Sequence, residues 1–210
     1  MKNQQSKITP HKAKRMFRLG YKMAFFENVK RRNWKDILAL WECAADNGNV
    51  RAQFYTGTCY DNAYGTKKDL YSAFEWYMKA AKAGHRDSQY NVGFFYGSDE
   101  LGNRNEKKKV YWYKKAADAG LADAQRDLGY SYFYGIGVKQ NHELAVHWYK
   151  KAARKNDDKA LYNLGLCYLY GEGVIKSEYW AIHYFKKANE FGNKKAKKKL
   201  KKLGVISDNA

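Results

Sequence analysis

A six-residue motif rewritten at a fixed interval constrains this chain more than any other feature. Trp148-Tyr149-Lys150-Lys151-Ala152-Ala153 stands 36 residues after Trp112-Tyr113-Lys114-Lys115-Ala116-Ala117, which stands 36 after Trp76-Tyr77-Met78-Lys79-Ala80-Ala81. One interval forward it becomes Tyr184-Phe185-Lys186-Lys187-Ala188-Asn189, and the earliest copy is Leu40-Trp41-Glu42-Cys43-Ala44-Ala45. A period of this length belongs to arrays of small helical units, none of which can bury its apolar face alone. The 210 residues, which would otherwise suggest one or two globular domains, therefore predict an all-α solenoid of about five helix pairs.

A second recurrence marks where the helices begin. Asn33, Asp69, Asn105, Asn141 and Ser177 share one phase and precede the second helix of each pair. Each can accept an orphan backbone N–H through its side-chain oxygen, so the shared property is capping. Within the second helices, Ala73, Trp76, Tyr77, Ala80 and Ala81 form one apolar stripe. Gly48, Gly84, Gly120 and Gly192 follow four of these helices, with Asn156 in the remaining place, all residues tolerant of the left-handed conformation that ends a helix. The first helices repeat Ala160, Leu164, Gly165 and Tyr168 as Ala124, Leu128, Gly129 and Tyr132, then Ser88, Val92, Gly93 and Tyr96, then Ala52, Thr56, Gly57 and Tyr60. The small residue lets helices cross closely, and the tyrosine is expected to pack against the next pair. In the N-terminal copy Leu19-Gly20 falls one residue early. Gly135-Ile136-Gly137 and Gly171-Glu172-Gly173 read as turns. Repeat 86–121 has Gly97-Ser98-Asp99-Glu100-Leu101-Gly102 instead, which predicts a loop of different shape.

The ends are expected to differ from the middle. Residues 1–8 read as a disordered polar N-terminus, and Thr9-Pro10 as cap and first position of a helix reaching about residue 30. A degenerate helix pair fills 9–49, four repeats fill 51–85, 86–121, 122–157 and 158–193, and a lysine-rich capping helix with a frayed tail fills 194–210. The formal charge is +19, of which residues 1–36 carry +9 and residues 186–204 carry +8. Basic ends of this kind attract acidic proteins, nucleic acid or anionic surfaces. Lys30-Arg31-Arg32 and Lys197 to Lys202 are the densest clusters.

Cys43, Cys59 and Cys167 are too scattered for a disulfide framework. Cys59 and Cys167 share one repeat position, which points to packing. No His/Cys cluster has metal-ligand spacing, no nucleophile–His–acid trio or phosphate loop is present, and no cofactor is implied. His147 and His183 share a helix position and read as surface or packing residues. No apolar stretch is long enough to span a membrane, and no secretory signal precedes the first helix. The expectation is a cytoplasmic monomer without catalysis.

The pattern A-x-x-x-L-G-x-x-Y-x-x-G-x-G-V, followed by a capped helix ending W-Y-x-K-A-A, resembles the Sel-1-like repeat. Ala124 to Tyr132, Gly135, Gly137, Val138 and Trp148 to Ala153 carry the resemblance most fully. It implies a right-handed α/α superhelix of the tetratricopeptide type, first helices lining a concave face, and an adaptor or scaffold role in protein complexes. Cysteine-rich members with a cysteine pair in every repeat are exported, and this chain has neither feature. On that frame the groove positions by phase are Arg51, Phe54, Tyr90, Phe94, Arg126, Tyr130, Phe133, Tyr134, Tyr162, Leu166 and Tyr170. Several become stack core if the phase shifts by one. Their aromatic density predicts a protein or peptide partner, an acidic one given the flanking cations, and inhibition or regulation of that partner is one form this would take. Nucleic-acid binding through the basic ends is the alternative.

Overall fold

The computed structural model describes residues 8–27 and 32–207, in which the regular elements are all α-helices. The chain divides into two compact units, Met1–Arg104 and Asn105–Ala210. The first holds α1 (Pro10–Phe25), α2 (Trp34–Asp46), α3 (Val50–Asn62), α4 (Leu70–Lys82) and α5 (Arg86–Gly97). The second holds α6 (Glu106–Asp118), α7 (Ala122–Tyr134), α8 (His142–Ala153), α9 (Asp158–Tyr170), α10 (Glu178–Glu190) and α11 (Lys194–Lys202). Within each unit every helix packs on its neighbours in the chain. The architecture is the all-α stack of helix pairs that the period predicts.

All five predicted caps form. Asn33, Asp69, Asn105, Asn141 and Ser177 accept backbone N–H groups of the first turn of α2, α4, α6, α8 and α10. Thr9 caps α1 in the same way, with Pro10 as its first residue. The α1 helix is shorter than expected, because it stops at Phe25; the remainder of the predicted stretch to residue 30, beyond Glu27, lies outside the described residues. Ile8 is not loose: its N–H donates to Asn47 Oδ1 at 3.0 Å, and its side chain packs against the core of the first unit. Residues 1–7 are outside the described range. At the other end Val205 and Ile206 pack on the core of the second unit rather than fraying.

Close approach is set by one glycine in each of the pairs α1–α2, α3–α4, α7–α8 and α9–α10. A Cβ on Gly57 would stand 2.8 Å from the ring of Tyr77, one on Gly129 2.7 Å from Tyr149, and one on Gly165 2.4 Å from Phe185. The partners are 20 residues on in each case. Gly20 meets Trp41 instead, 21 residues on, at 2.7 Å, so the early glycine of the first copy is absorbed by a one-residue offset. The aromatic partner is buried each time, with Trp41, Tyr77, Tyr149 and Phe185 all 2% exposed or less. Burying one such ring contributes about 1.5–3 kcal/mol.

A second glycine joins successive repeats. Gly65, Gly137 and Gly173 have φ of +75°, +74° and +71°, and a Cβ there would lie within 2.3 Å of the carbonyl oxygen of Trp34, Glu106 and His142 respectively. Each turn thus rests on the first residue of the preceding second helix, and both backbone conformation and space require glycine. The loop after α5 differs, as expected, turning at Gly102 with φ +62°.

Two expectations are corrected. Trp76 is half-buried rather than core, since it walls an open cleft beside α2 while Lys79 Nζ lies 3.6 Å above its ring. The motif tyrosines do not reach forward to the next pair. Tyr168 stacks on Tyr184 of its own partner helix at 5.5 Å and 16°, and Tyr60 donates to Glu42 Oε1 of the preceding helix at 2.6 Å.

Two outcomes follow. Gly165→Ala would push Phe185 out of its contact and lower stability by about 1–3 kcal/mol, measured by chemical denaturation. His85 caps α5 through Nδ1, which accepts the Ser88 N–H at 3.3 Å and must be unprotonated to do so. Burial lowers its pKa below the ordinary 6.5, against the pull of Asp87. The unfolded chain then takes the proton more readily, so this stability is present above about pH 6.5 and is lost as pH falls through the folded value. His85→Asn keeps an acceptor that does not titrate, so the native chain is expected to lose stability relative to this variant as pH falls, measured by denaturation across the range.

Candidate binding surfaces

In the second unit the first helices of three successive repeats line one cleft. Arg126, Asp127 and Tyr130 come from α7, Asp158, Lys159, Tyr162 and Asn163 from α9, and Gly192 to Lys195 from the start of α11, around a volume of about 430 Å³. A small cavity of about 40 Å³ adjoins it between Tyr130, Phe133, Tyr134, Tyr149, Asn163 and Leu166. Tyr130 and Asn163 belong to both. Of the predicted groove residues in this unit, Arg126, Tyr130, Phe133, Tyr134, Tyr162 and Leu166 are therefore brought together.

They are not equally accessible. Tyr130 and Tyr134 are 46% and 57% exposed, with ring centroids 4.5 Å apart, and Tyr170 is 60% exposed. Phe133 is half-buried, with its ring stacked on His142 at 4.7 Å. Tyr162 is half-buried against Phe185, and Leu166 is half-buried on the core. Tyr170 accepts a hydrogen bond from Lys199 Nζ at 3.0 Å, with the same ammonium over its ring. The exposed tyrosines present apolar ring area at low entropic cost, the usual makings of a contact surface.

Arg126 is held by its own unit. Its guanidinium bonds Asp127 at 2.7 Å, Asp123 at 2.8 Å and Asp157 at 2.9 Å. Burial works against its charge, yet the bond to Asp127 and the three carboxylates raise its pKa. Asp157, the N-cap of α9, has its pKa raised by burial, while its bond from Ala160 and the charge of Arg126 pull it down. Arg126 thus ties α7 to the cap of the next first helix, a role its phase alone does not reveal.

In the first unit α1 and the start of α3 line a cleft of about 460 Å³ that includes Lys14, Phe17, Arg18 and Arg51. Arg51 lies 4.9 Å from the Phe17 ring centroid and 5.4 Å from that of Tyr21. Phe54 is half-buried and stacks on the His85 ring at 4.7 Å. Tyr90 is half-buried, and Phe94 is exposed at the edge of Phe95. Of the Lys30-Arg31-Arg32 cluster, Lys30 and Arg31 are outside the described residues.

Sequence reading missed a buried amide that recurs at 36. Gln53, Gln89 and Gln125 donate through Nε2 to the carbonyls of Ala45, Ala81 and Ala117 at 3.2, 3.2 and 3.0 Å. Each satisfies the end of the preceding second helix. The signal was the spacing of the glutamines themselves. Cys59 and Cys167 are buried, and burial first, with Glu42 and Glu172 nearby, pushes both thiols up to about 12. They are packing residues. His147 and His183 are exposed. Among the described residues no cluster could hold a metal ion, and no helix is long and apolar enough to cross a membrane.

A stack of helix pairs joined by glycine turns defines a helix-pair repeat protein. Residues 50–85, 86–121, 122–157 and 158–192 each match the Sel1 repeat, and the chain belongs to that family. Proteins built on this repeat generally act in protein–protein interaction and are generally non-enzymatic. A Sel1 repeat protein from Oxalobacter formigenes is 29% identical, superposes with a TM-score of 0.82, and is matched over 99% of this chain and 85% of its own. A protective antigen of uropathogenic Escherichia coli displaying the same fold is 26% identical with a TM-score of 0.85 over 94% of this chain. This chain spans only 43% of that protein's length. The cysteine-rich protein B of Helicobacter pylori is 27% identical over 66% of this chain and 96% of its own, with a TM-score of 0.50.

Replacing Arg126 with leucine removes the cation from three carboxylates and is expected to cost about 3 kcal/mol, measured by denaturation. Asp157 should titrate above the ordinary carboxylate range by NMR, and higher still in Arg126→Leu. Because a raised carboxyl pKa takes up protons in the folded state, the deficit of the variant should be largest at neutral pH and shrink as the solution is acidified.

Proposed function

We propose that this chain is a non-catalytic scaffold that takes an acidic segment of another protein on the surface of its first helices. The observation that carries this reading is the cleft formed jointly by α7, α9 and α11, with Tyr130 at its edge and Tyr134 beside it. Lys159, Lys194 and Lys195 stand exposed around that cleft. In the first unit Lys14, Arg18 and Arg51 line the corresponding cleft, and among the described residues no carboxylate does. Cations beside aromatic rings favour a partner that brings carboxylates to the rim and apolar side chains to the rings. Arg126 contributes by holding the α7–α9 geometry rather than by meeting the partner, since its charge is already met. An occupant lying across such a surface would be blocked or held in place, which is how the scaffold would regulate it.

The test is affinity capture from a lysate of the source cells, with and without nuclease, comparing the native chain with Tyr130→Ala/Tyr134→Ala. Both rings are exposed, so the variant should keep the helical circular dichroism and melting of the native chain. A protein partner retained after nuclease should lose affinity by about tenfold or more in the variant, with a shallow dependence on salt. Recovery of nucleic acid alone, steeply salt-dependent and indifferent to the tyrosines, would overturn the reading.

A further inference from the structure

The second unit carries another cleft, of about 340 Å³, between the second helices α8 and α10. It shares no lining residue with the aromatic cleft of the first helices. Its polar wall is Lys150 and Arg154 from α8 with His183, Tyr184 and Lys187 from α10, and no carboxylate lines it. The floor is apolar, formed in part by Leu161 and Leu164, which are 1% and 0% exposed. Among the described residues, Lys150, Arg154 and Lys187 make no ion pair. Lys150 has only the face of Tyr168, at 5.8 Å.

Cations late in a helix can simply answer its dipole, and the repeat itself tests that explanation. The positions of Lys150 and Arg154 recur as Glu42 and Asp46, Met78 and Lys82, Lys114 and Asp118, and Lys186 and Glu190. In α6 the two residues neutralise each other, with Lys114 Nζ 2.9 Å from Asp118 Oδ2. In the first unit the cleft beside α2 is lined by Glu42 and Asp46, the opposite charge at the same positions. The fold therefore makes no demand for cations here. Only α8 presents two, both without an ion pair, and Lys187 adds a third from across the cleft. Burial, with Tyr168, raises the Tyr184 hydroxyl pKa while Lys150 and Arg154 lower it, so both charges act at one point in the cleft. Like charges gathered over an apolar floor repel unless an anion joins them.

We propose that this cleft binds a phosphate monoester. Three cations exceed the charge of one carboxylate and suit a dianion. The planar guanidinium of Arg154 can take two oxygens, and the lysines act as point charges. The Tyr184 hydroxyl and the His183 ring supply further donors. The cleft is larger than a bare oxyanion needs, which leaves room for an organic group against the two rings.

The experiment titrates the full chain with phenyl phosphate at fixed ionic strength and neutral pH, with benzoate and inorganic sulfate in parallel, reading backbone amide shifts by NMR. Phenyl phosphate should give saturable shifts confined to α8, α10 and the floor of α9. Arg154→Asp should weaken it by about tenfold or more. That variant should stay folded, because it copies the pair that α6 already carries; Lys187→Gln is a second, milder variant with the same expected direction. A phosphotyrosine peptide binding more tightly than phenyl phosphate would place the ester on a partner chain, and equal binding would place it on a free organic phosphate. Absence of saturation, equal binding of benzoate, or binding unchanged in both variants would overturn the proposal.

Discussion

Four helix pairs, two in each unit, depend on a glycine in the first helix seated against an aromatic ring of the second. Gly57 on Tyr77, Gly129 on Tyr149 and Gly165 on Phe185 are contacts with no room for a methyl group. The ring fills the space that the missing side chain leaves, so the backbones stay close and the flanking alanines meet the neighbouring helix. Ala73, Ala80, Ala145, Ala152, Ala181 and Ala188 are all fully buried as a result. The hydroxyl of Tyr77 is kept in place by Thr58 and Asp61, each at 3.3 Å, while Phe185 at the same position has no hydroxyl to satisfy. The ring, not its polar tip, is what the pair requires.

This dependence explains which parts of the molecule were legible in the sequence. Caps, turn glycines and the glycine–aromatic pairs are local or lie at a fixed distance along the chain, so each recurs at 36 and can be read by superposing the copies. Asn141 had to cap something and does. The one-residue shift of Gly20 was visible, but its resolution was not, because it depends on Trp41 providing a broader ring where the other copies have Tyr or Phe. Interactions that join different phases were harder. Asp157 caps α9 and is also the third carboxylate on Arg126, 31 residues earlier. Nothing in the period says that a cap faces an arginine, and Arg126 read by phase alone becomes a free groove cation. The same blindness hid Trp76, whose exposure depends on the open cleft beside α2 rather than on its own stripe.

Net charge is a poor guide to where such a chain meets a partner. Lys114, Lys109 and Arg126 are cations met by neighbouring acids, and they add to the total without offering an attractive surface. Lys150, Arg154 and Lys187 contribute the same formal charge but have no ion pair among the described residues. What separates the two groups is whether an acid stands within reach, as Asp118 does four positions after Lys114, Glu106 three before Lys109 and Asp123 three before Arg126. A repeat protein can change that residue without touching the glycine contact, because the late positions of the second helix lie off the buried stripe. The clefts beside α2 and α8 illustrate it: Tyr60 and Tyr168 stand at one repeat position, one donating to Glu42 and the other lying under Lys150.

The same reasoning separates the two clefts of the second unit energetically. The first-helix cleft is walled by the exposed Tyr130 ring, the half-buried Tyr162 and lysines at the starts of α9 and α11, whereas the second-helix cleft is walled by the late residues of α8 and α10. No residue lines both: Tyr149 backs the first and Leu164 floors the second, and both are buried in one core with Phe185. Substitutions more than about 7–10 Å apart with no shared partner act additively. Loss of the tyrosines should therefore leave the cationic cleft intact, and reversal of charge at Arg154 should leave the aromatic one intact. A repeat that devotes its interior to a fixed contact can in this way carry two independent surfaces, each adjustable by residues the stack does not need.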